Sequence, residues 1–347
     1  MDCLAIGSLP HMNPKEALDL VRDFDIPFWP QLVKLSKNED MIFQFLENMP
    51  SFFGCEKFRF DCESERFFEQ LEEFFLDYEE IVYNDNFDLL EKYAISKDFA
   101  SAFVPFINLL QETKPKYGKG QIVGPFTLAT TLTDNNNRCA IYDDTLKEVI
   151  IKTLCLKAIW QIKHMQKTGT KPVIFIDEPA ISQLGTSAYL TVSPKDVVNM
   201  IKEIVDIIHK YGGTGAIHCC GKCDWNVPLT TGIDIISLDA YSYSENLSIS
   251  HKKVEKFLQN GGKIAWGIVP TLDKTALENT TLQILTEKFE LAVKYLTKRG
   301  INEKLIIDNS LISPSCGAGS LSLELATKAM RLTKELSDSL KERYNDN

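Results

Sequence analysis

Several things are missing from this 347-residue chain, and each absence removes a class of protein. No apolar run approaches the roughly 18 residues that a membrane-crossing helix needs, so no membrane partner is expected. The opening residues, MDCLAIGSLPHMNP, have neither a basic stretch nor a long apolar one. They do not read as a secretory signal, and a cytoplasmic location is expected. Basic residues are in deficit: 38 Lys and Arg stand against 48 Asp and Glu, a formal net charge of −10. Binding to nucleic acid needs clustered cations, so that partner is not expected either. The acidic excess serves solubility. No Pro-, Gly- or Ser-rich linker and no low-complexity tract interrupts the chain. No GxGxxG follows the first apolar run, which argues against a dinucleotide-binding fold.

What is present suits a globular protein with a large core: 44% of residues are hydrophobic and 25% charged. The apolar residues gather in eight short runs: LAIGSL (4–9), PFWPQL (27–32), GQIVGPFTL (120–128), PVIFIDEP (172–179), GAIHCC (215–220), IDIISLDA (233–240), KIAWGIVP (263–270) and KLIIDNSLI (304–312). Amphipathic stretches such as SPKDVVNMIKEIVDIIHKYGG lie between most of them, with apolar residues three and four apart and a Gly stop. Strands alternating with helices indicate an α/β fold. Eight such units predict a single closed (β/α)8 barrel of the TIM type over residues 1–347. Residues 38–118 break the rhythm. Their Phe-rich, acidic sequence (FFEQLEEFFLDYEEI) predicts a mainly helical insertion between strands 2 and 3, packed against the barrel.

Nine cysteines in a cytoplasmic chain are not a disulfide framework. Cys3, Cys55, Cys62, Cys139 and Cys155 are scattered and read as small buried hydrophobes. The stretch AIHCCGKCDW (216–225) is different, because it holds three cysteines and a histidine. His218 and Cys220 are two apart at a strand end, so both side chains leave the same face. Cys316 follows the last predicted strand, and loops at that end of a barrel converge over its mouth. One His and two Cys make a three-ligand zinc site with room for a substrate. A thiolate-rich zinc suits activation of an incoming thiol, which it holds as thiolate for attack on an electrophilic carbon. Two plainer readings stand beside this one. Cys220-Gly-Lys-Cys223 has the spacing of half a structural zinc site or of a redox pair, although no second CxxC exists. The cluster also fits small residues buried without function. Cys219 is expected to point away from Cys220 into the wall, and Cys223 to sit on the following helix.

Five short motifs, in order, resemble the catalytic domain of cobalamin-independent methionine synthase, within the uroporphyrinogen decarboxylase-like superfamily: IGSLP (6–10), GPFT (124–127), IDEPA (176–180), IHCC (217–220) and SPSCG (313–317). The resemblance implies zinc on His218, Cys220 and Cys316, with Asp239 where the family has a fourth, glutamate ligand. It implies an acceptor such as homocysteine, held by Ile6, Gly7, Ser8 and Asp177, with Glu178 as a further contact or a support. Asp177 and Asp239 are thereby the carboxylates of the reacting centre. A further family Glu falls near Leu35, so one amine contact of the family is missing here.

Short relatives of this type look like methyltransferases that use a corrinoid. The expected activity is transfer of methyl from a methylcorrinoid, free or on a corrinoid protein, to a zinc-bound small-molecule thiol. Two alternatives remain: a methyltetrahydrofolate-type donor with the same acceptor, and a non-catalytic barrel that binds zinc or a corrinoid. A porphyrinogen decarboxylase is disfavoured, because residues 1–21 contain no Arg to hold substrate carboxylates.

Overall fold

The computed structural model of the protein describes residues 1–51 and 59–345. The α-helices before the sheet are α1 (Pro14–Val21), α2 (Glu65–Tyr83) and α3 (Phe103–Thr113). Strand β1 (Tyr117–Val123) is followed by α4 (Pro125–Thr131) and the long α5 (Asp144–Lys167). Then come β2 (Lys171–Asp177), α6 (Pro194–Lys210), β3 (Thr214–Cys219), β4 (Ile235–Leu238), α7 (Ala240–Leu247) and α8 (His251–Gln259). The chain continues with β5 (Lys263–Val269), α9 (Lys274–Asn279), α10 (Leu282–Thr297), α11 (Glu303–Asp308), β6 (Ser310–Pro314) and α12 (Leu323–Asn345).

The α/β class holds, but the closed eight-stranded barrel does not form. The sheet has six strands, all parallel, in the order β1-β2-β3-β4-β5-β6. The two runs expected as the first strands make only isolated bridges, Cys3 to Ile312, Ser8 to Gln31 and Phe28 to Lys119. Their sequence explains this. Pro10, Pro27 and Pro30 have no N–H to give a ladder. Gly7 sits at φ +148°, a conformation that turns the chain out of register.

The other strand ends also shift. GQIVGPFTL is strand only to Val123, because Pro125 opens α4 at a position that needs no N–H. KLIIDNSLI is half helix: the Asn302 side chain accepts from Leu305 N and starts α11, which leaves β6 only five residues. No α-helix separates β3 from β4, only a 3₁₀ turn over Pro228–Thr230. Cys223 therefore lies in a loop, not on a helix.

Alternation along the strands sorts side chains into two apolar layers. Val173, Phe175, Ala216, Ile235, Ala265 and Leu311 share an inner cluster with Leu4, Ile6 and Ile26. Their neighbours Ile174, Ile176, Ile217, Cys219, Ile236 and Trp266 join the larger cluster under the helices. Asp177, His218 and Ser237 fall on the inner face by the same period of two.

Between Ser36 and β1 the described chain holds α2, α3 and short 3₁₀ turns. A buried lysine of α5 ties this region down. Lys157 Nζ donates to the carbonyls of Glu47 (2.7 Å), Tyr93 (2.9 Å) and Ala94 (3.1 Å). Of the scattered cysteines, Cys3 and Cys155 are buried and Cys62 and Cys139 half-buried. Cys55 lies outside the described residues.

Candidate metal centre

Parallel register sets Asp177 of β2 beside His218 of β3, and His218 beside Ser237 of β4. Cys220 follows His218 by two residues. Cys316 reaches the same place from just beyond β6. The donor atoms of His218, Cys220 and Cys316 all lie within 4.8 Å of one another, the one such group among the described residues. His218 is buried, and both cysteines are half-buried.

Each donor is held from behind. His218 Nδ1 contacts Ser237 Oγ at 3.0 Å. That contact fixes the ring and leaves Nε2 for the cluster. Cys316 is fastened through its backbone: its N–H donates to Thr271 Oγ1 (3.0 Å), and the same hydroxyl donates to its carbonyl (2.9 Å). Thr271 N in turn donates to Ser315 Oγ at 3.1 Å.

The cluster fits a metal ion. His218 Nε2 is buried and finds no hydrogen-bond partner. Such an orphan carries a desolvation cost that a cation would relieve. A hydrogen bond from the Cys316 thiol, and then the nearby His218, hold the Cys220 thiol well below its usual pKa despite burial. Cys316 is pushed up, chiefly by its hydrogen bond to Cys220. Burial draws His218 down, but the Cys220 sulfur outweighs it and raises the imidazole. Two cysteine sulfurs and an imidazole nitrogen so close together form a donor set suited to zinc.

The two carboxylates stand near the donors but outside the group. Asp239 is buried, and its carboxylate accepts from Ser242 N at 2.9 Å, which caps α7. Burial pushes its pKa up. Asp177 is 5% exposed, and its Oδ1 has no partner. Burial raises Asp177, and the charge of Lys119 on β1 pulls it back. Burial likewise lowers Lys119, against the charge of Asp177.

Glu178 faces another way. Its carboxylate accepts from Phe126 N (2.8 Å), Thr127 N (2.9 Å) and Thr127 Oγ1 (2.6 Å), at the start of α4. Burial is the main cause that raises it to about 7. Ile6 points into the inner apolar cluster. Gly7 accepts from Gln31 N through its carbonyl, and the N–H groups of Gly7 and Ser8 find no backbone acceptor among the described residues. Ser8 meets the loop after Cys316: its carbonyl accepts from Ala318 N (2.9 Å) and its hydroxyl from Gly319 N (3.2 Å). The two ends of the sequence thus meet beside the cluster.

Cys219 lies in the outer layer, as alternation requires, with the Cys223 thiol against its own. Ser237, Thr271 and Lys119 were not singled out in the sequence. Only Lys119 left a signal, because Lys119 and Gln121 put polar groups at alternate positions of a buried strand.

No family model matches the chain, and no curated protein matches it. Solved structures do match. One is a Listeria monocytogenes protein provisionally described as a vitamin-B12 independent methionine synthase. It is 15% identical, with a TM-score of 0.47, and the match covers 76% of this chain and 87% of that one.

Proposed function

We propose that the chain is a zinc-dependent thiol methyltransferase. It would move a methyl group from a methylcorrinoid, free or protein-bound, to a thiol such as homocysteine. One observation carries the reading: three soft donors converge within 4.8 Å at a strand-end mouth, and a buried imidazole nitrogen among them has no protein partner. His218, Cys220 and Cys316 would hold the ion. Zinc bound there supplies a Lewis acid that keeps an acceptor sulfur as thiolate at neutral pH. Half-buried Cys220 and Cys316 leave that place open to a molecule from outside.

The remaining residues hold the acceptor. Asp177 Oδ1, buried and unpartnered, accepts a hydrogen bond from an ammonium. The free N–H groups of Gly7 and Ser8 receive a carboxylate. Asp239 lies close enough to bias the charge on Cys220 and His218, and it tunes the ligands or joins them. Glu178 acts at one remove, by fixing the start of α4. Alignment of sulfur and methyl contributes several kcal/mol, roughly 7–11 at best.

Zinc content measured on purified protein, with methylcobalamin and homocysteine added and the cobalamin spectrum followed, tests the reading. About one zinc per chain and a thiol-dependent loss of the methylcobalamin spectrum are expected. Bound zinc with no spectral change for any simple thiol would leave a non-catalytic zinc- or corrinoid-binding protein instead.

A further inference from the structure

We infer that Lys119 is a positioning residue for the acceptor pocket, which fastens the Ile6–Ser8 backbone and balances the buried charge of Asp177. The acceptor part rests on the methyl-transfer reading, whereas the charge balance does not.

Lys119 is fully buried on the inner face of β1. Tyr117 lies below it on the same face and Val173 beside it on β2, both apolar neighbours that give an ammonium nothing. The side chain reaches upward along the strand. Nζ donates to the Ile6 carbonyl and to Gln121 Oε1, the latter at 2.9 Å. It stands 4.6 Å from the centre of the Phe175 ring, two residues before Asp177 on the same face. An ammonium has three donors, so one is left over. Asp177 is the anion on the same inner face; it makes no direct ion pair with Lys119, but its charge acts on the ammonium from further up the strand. A buried charge without a counter-charge is costly, and each of these two relieves the other.

The contact with Ile6 falls where the backbone is weakly held. The backbone of residues 3–9 bonds to β6 at Leu4, whose N–H donates to Ile312 O, whereas Gly7 and Leu9 bond to Gln31, outside the six-stranded sheet. Between Leu4 and Gly7, Lys119 supplies a hydrogen bond that a ladder would otherwise give. Gln121 continues the brace: its Nε2 donates to Trp29 O at 3.2 Å, and its Oε1 packs 3.2 Å from where a Cβ on Gly7 would be. Two inward side chains of β1 therefore stand in for missing strand pairing just beneath the Gly7 and Ser8 amides.

A plain strut and a charge-balancing residue differ in one respect. If Lys119 balances Asp177, Lys119→Met should lower the melting temperature by several degrees, and Asp177→Asn in that background should restore much of it. Zinc content should stay unchanged in Lys119→Met. Should Lys119→Met fail to fold alone, the double variant decides: a folded double variant supports the pairing, and an unfolded one overturns it. Strictly additive losses also overturn it. For the backbone role, Lys119→Met should raise KM for homocysteine roughly tenfold while kcat changes less, and an unchanged KM overturns that role. If the wild type moves methyl to no thiol, the reaction is wrong, and the stability cycle still judges the charge pair.

Discussion

His218 divides its two nitrogens between support and chemistry. Nδ1 is taken by Ser237, and Nε2 is left for the cluster. Ser237→Ala should therefore weaken zinc binding by about tenfold without unfolding the protein, since partners behind a ligand commonly matter by that factor. Competition with a chelator measures it. The ligand assignment gives a sharper contrast. Cys316→Ala should lose both zinc and activity, whereas Cys223→Ala, buried against Cys219, should keep both. Equal effects of the two changes would contradict the assignment. Both cysteines stand out in the sequence, but only one meets the donors, because Cys223 falls on the outer layer.

At the scale of elements, the junction of β1 and α4 depends on a missing side chain. A Cβ on Gly124 would lie 2.0 Å from Glu178 Cδ. Gly124→Ala must push Glu178 off the start of α4 and strand a buried carboxylate. A loss on the order of 3 kcal/mol is expected, read as a lower denaturation midpoint. The same elements show what a sequence conveys. PVIFIDEP and KIAWGIVP are continuous apolar runs, and both are central strands. LAIGSL looks similar, yet it only bridges its neighbours, because pairing depends on Gly7 and on Pro10, Pro27 and Pro30 in and beside the runs that would pair. His218 and Cys220 were readable from their spacing of two. Cys316 was readable only by its place after a strand. Thr271 and Ser237 were not readable, since a hydroxyl that braces a residue on another strand looks like any other.

For the whole molecule, the closing contacts lie at Asp25. Its carboxylate accepts from Cys3 N at 3.0 Å and pairs with Lys341 of α12 at 2.7 Å. Burial pushes its pKa up, but Lys341 and the Cys3 N–H more than offset this and leave it at about 2, against 3.8 for a free carboxyl. The folded state therefore binds this proton less readily than the unfolded chain does. Its stabilisation is complete above about pH 4 and is lost as pH falls through about 2. Allowing for solvent screening, the effect is about 1–2 kcal/mol. Asp25→Asn should lose that amount at neutral pH and flatten the acid limb of the stability curve, as urea titrations at several pH values would show.

The meeting of Ser8 with the loop after Cys316 also has a consequence in time. A ribosome delivers residues 218 and 220 long before residue 316. Until then a growing polypeptide carries an imidazole and a sulfur with no third donor. On the zinc reading proposed above, loading with metal belongs to the last moments of synthesis or to the released product. Starving cells of zinc during translation and restoring it afterwards should still yield charged protein.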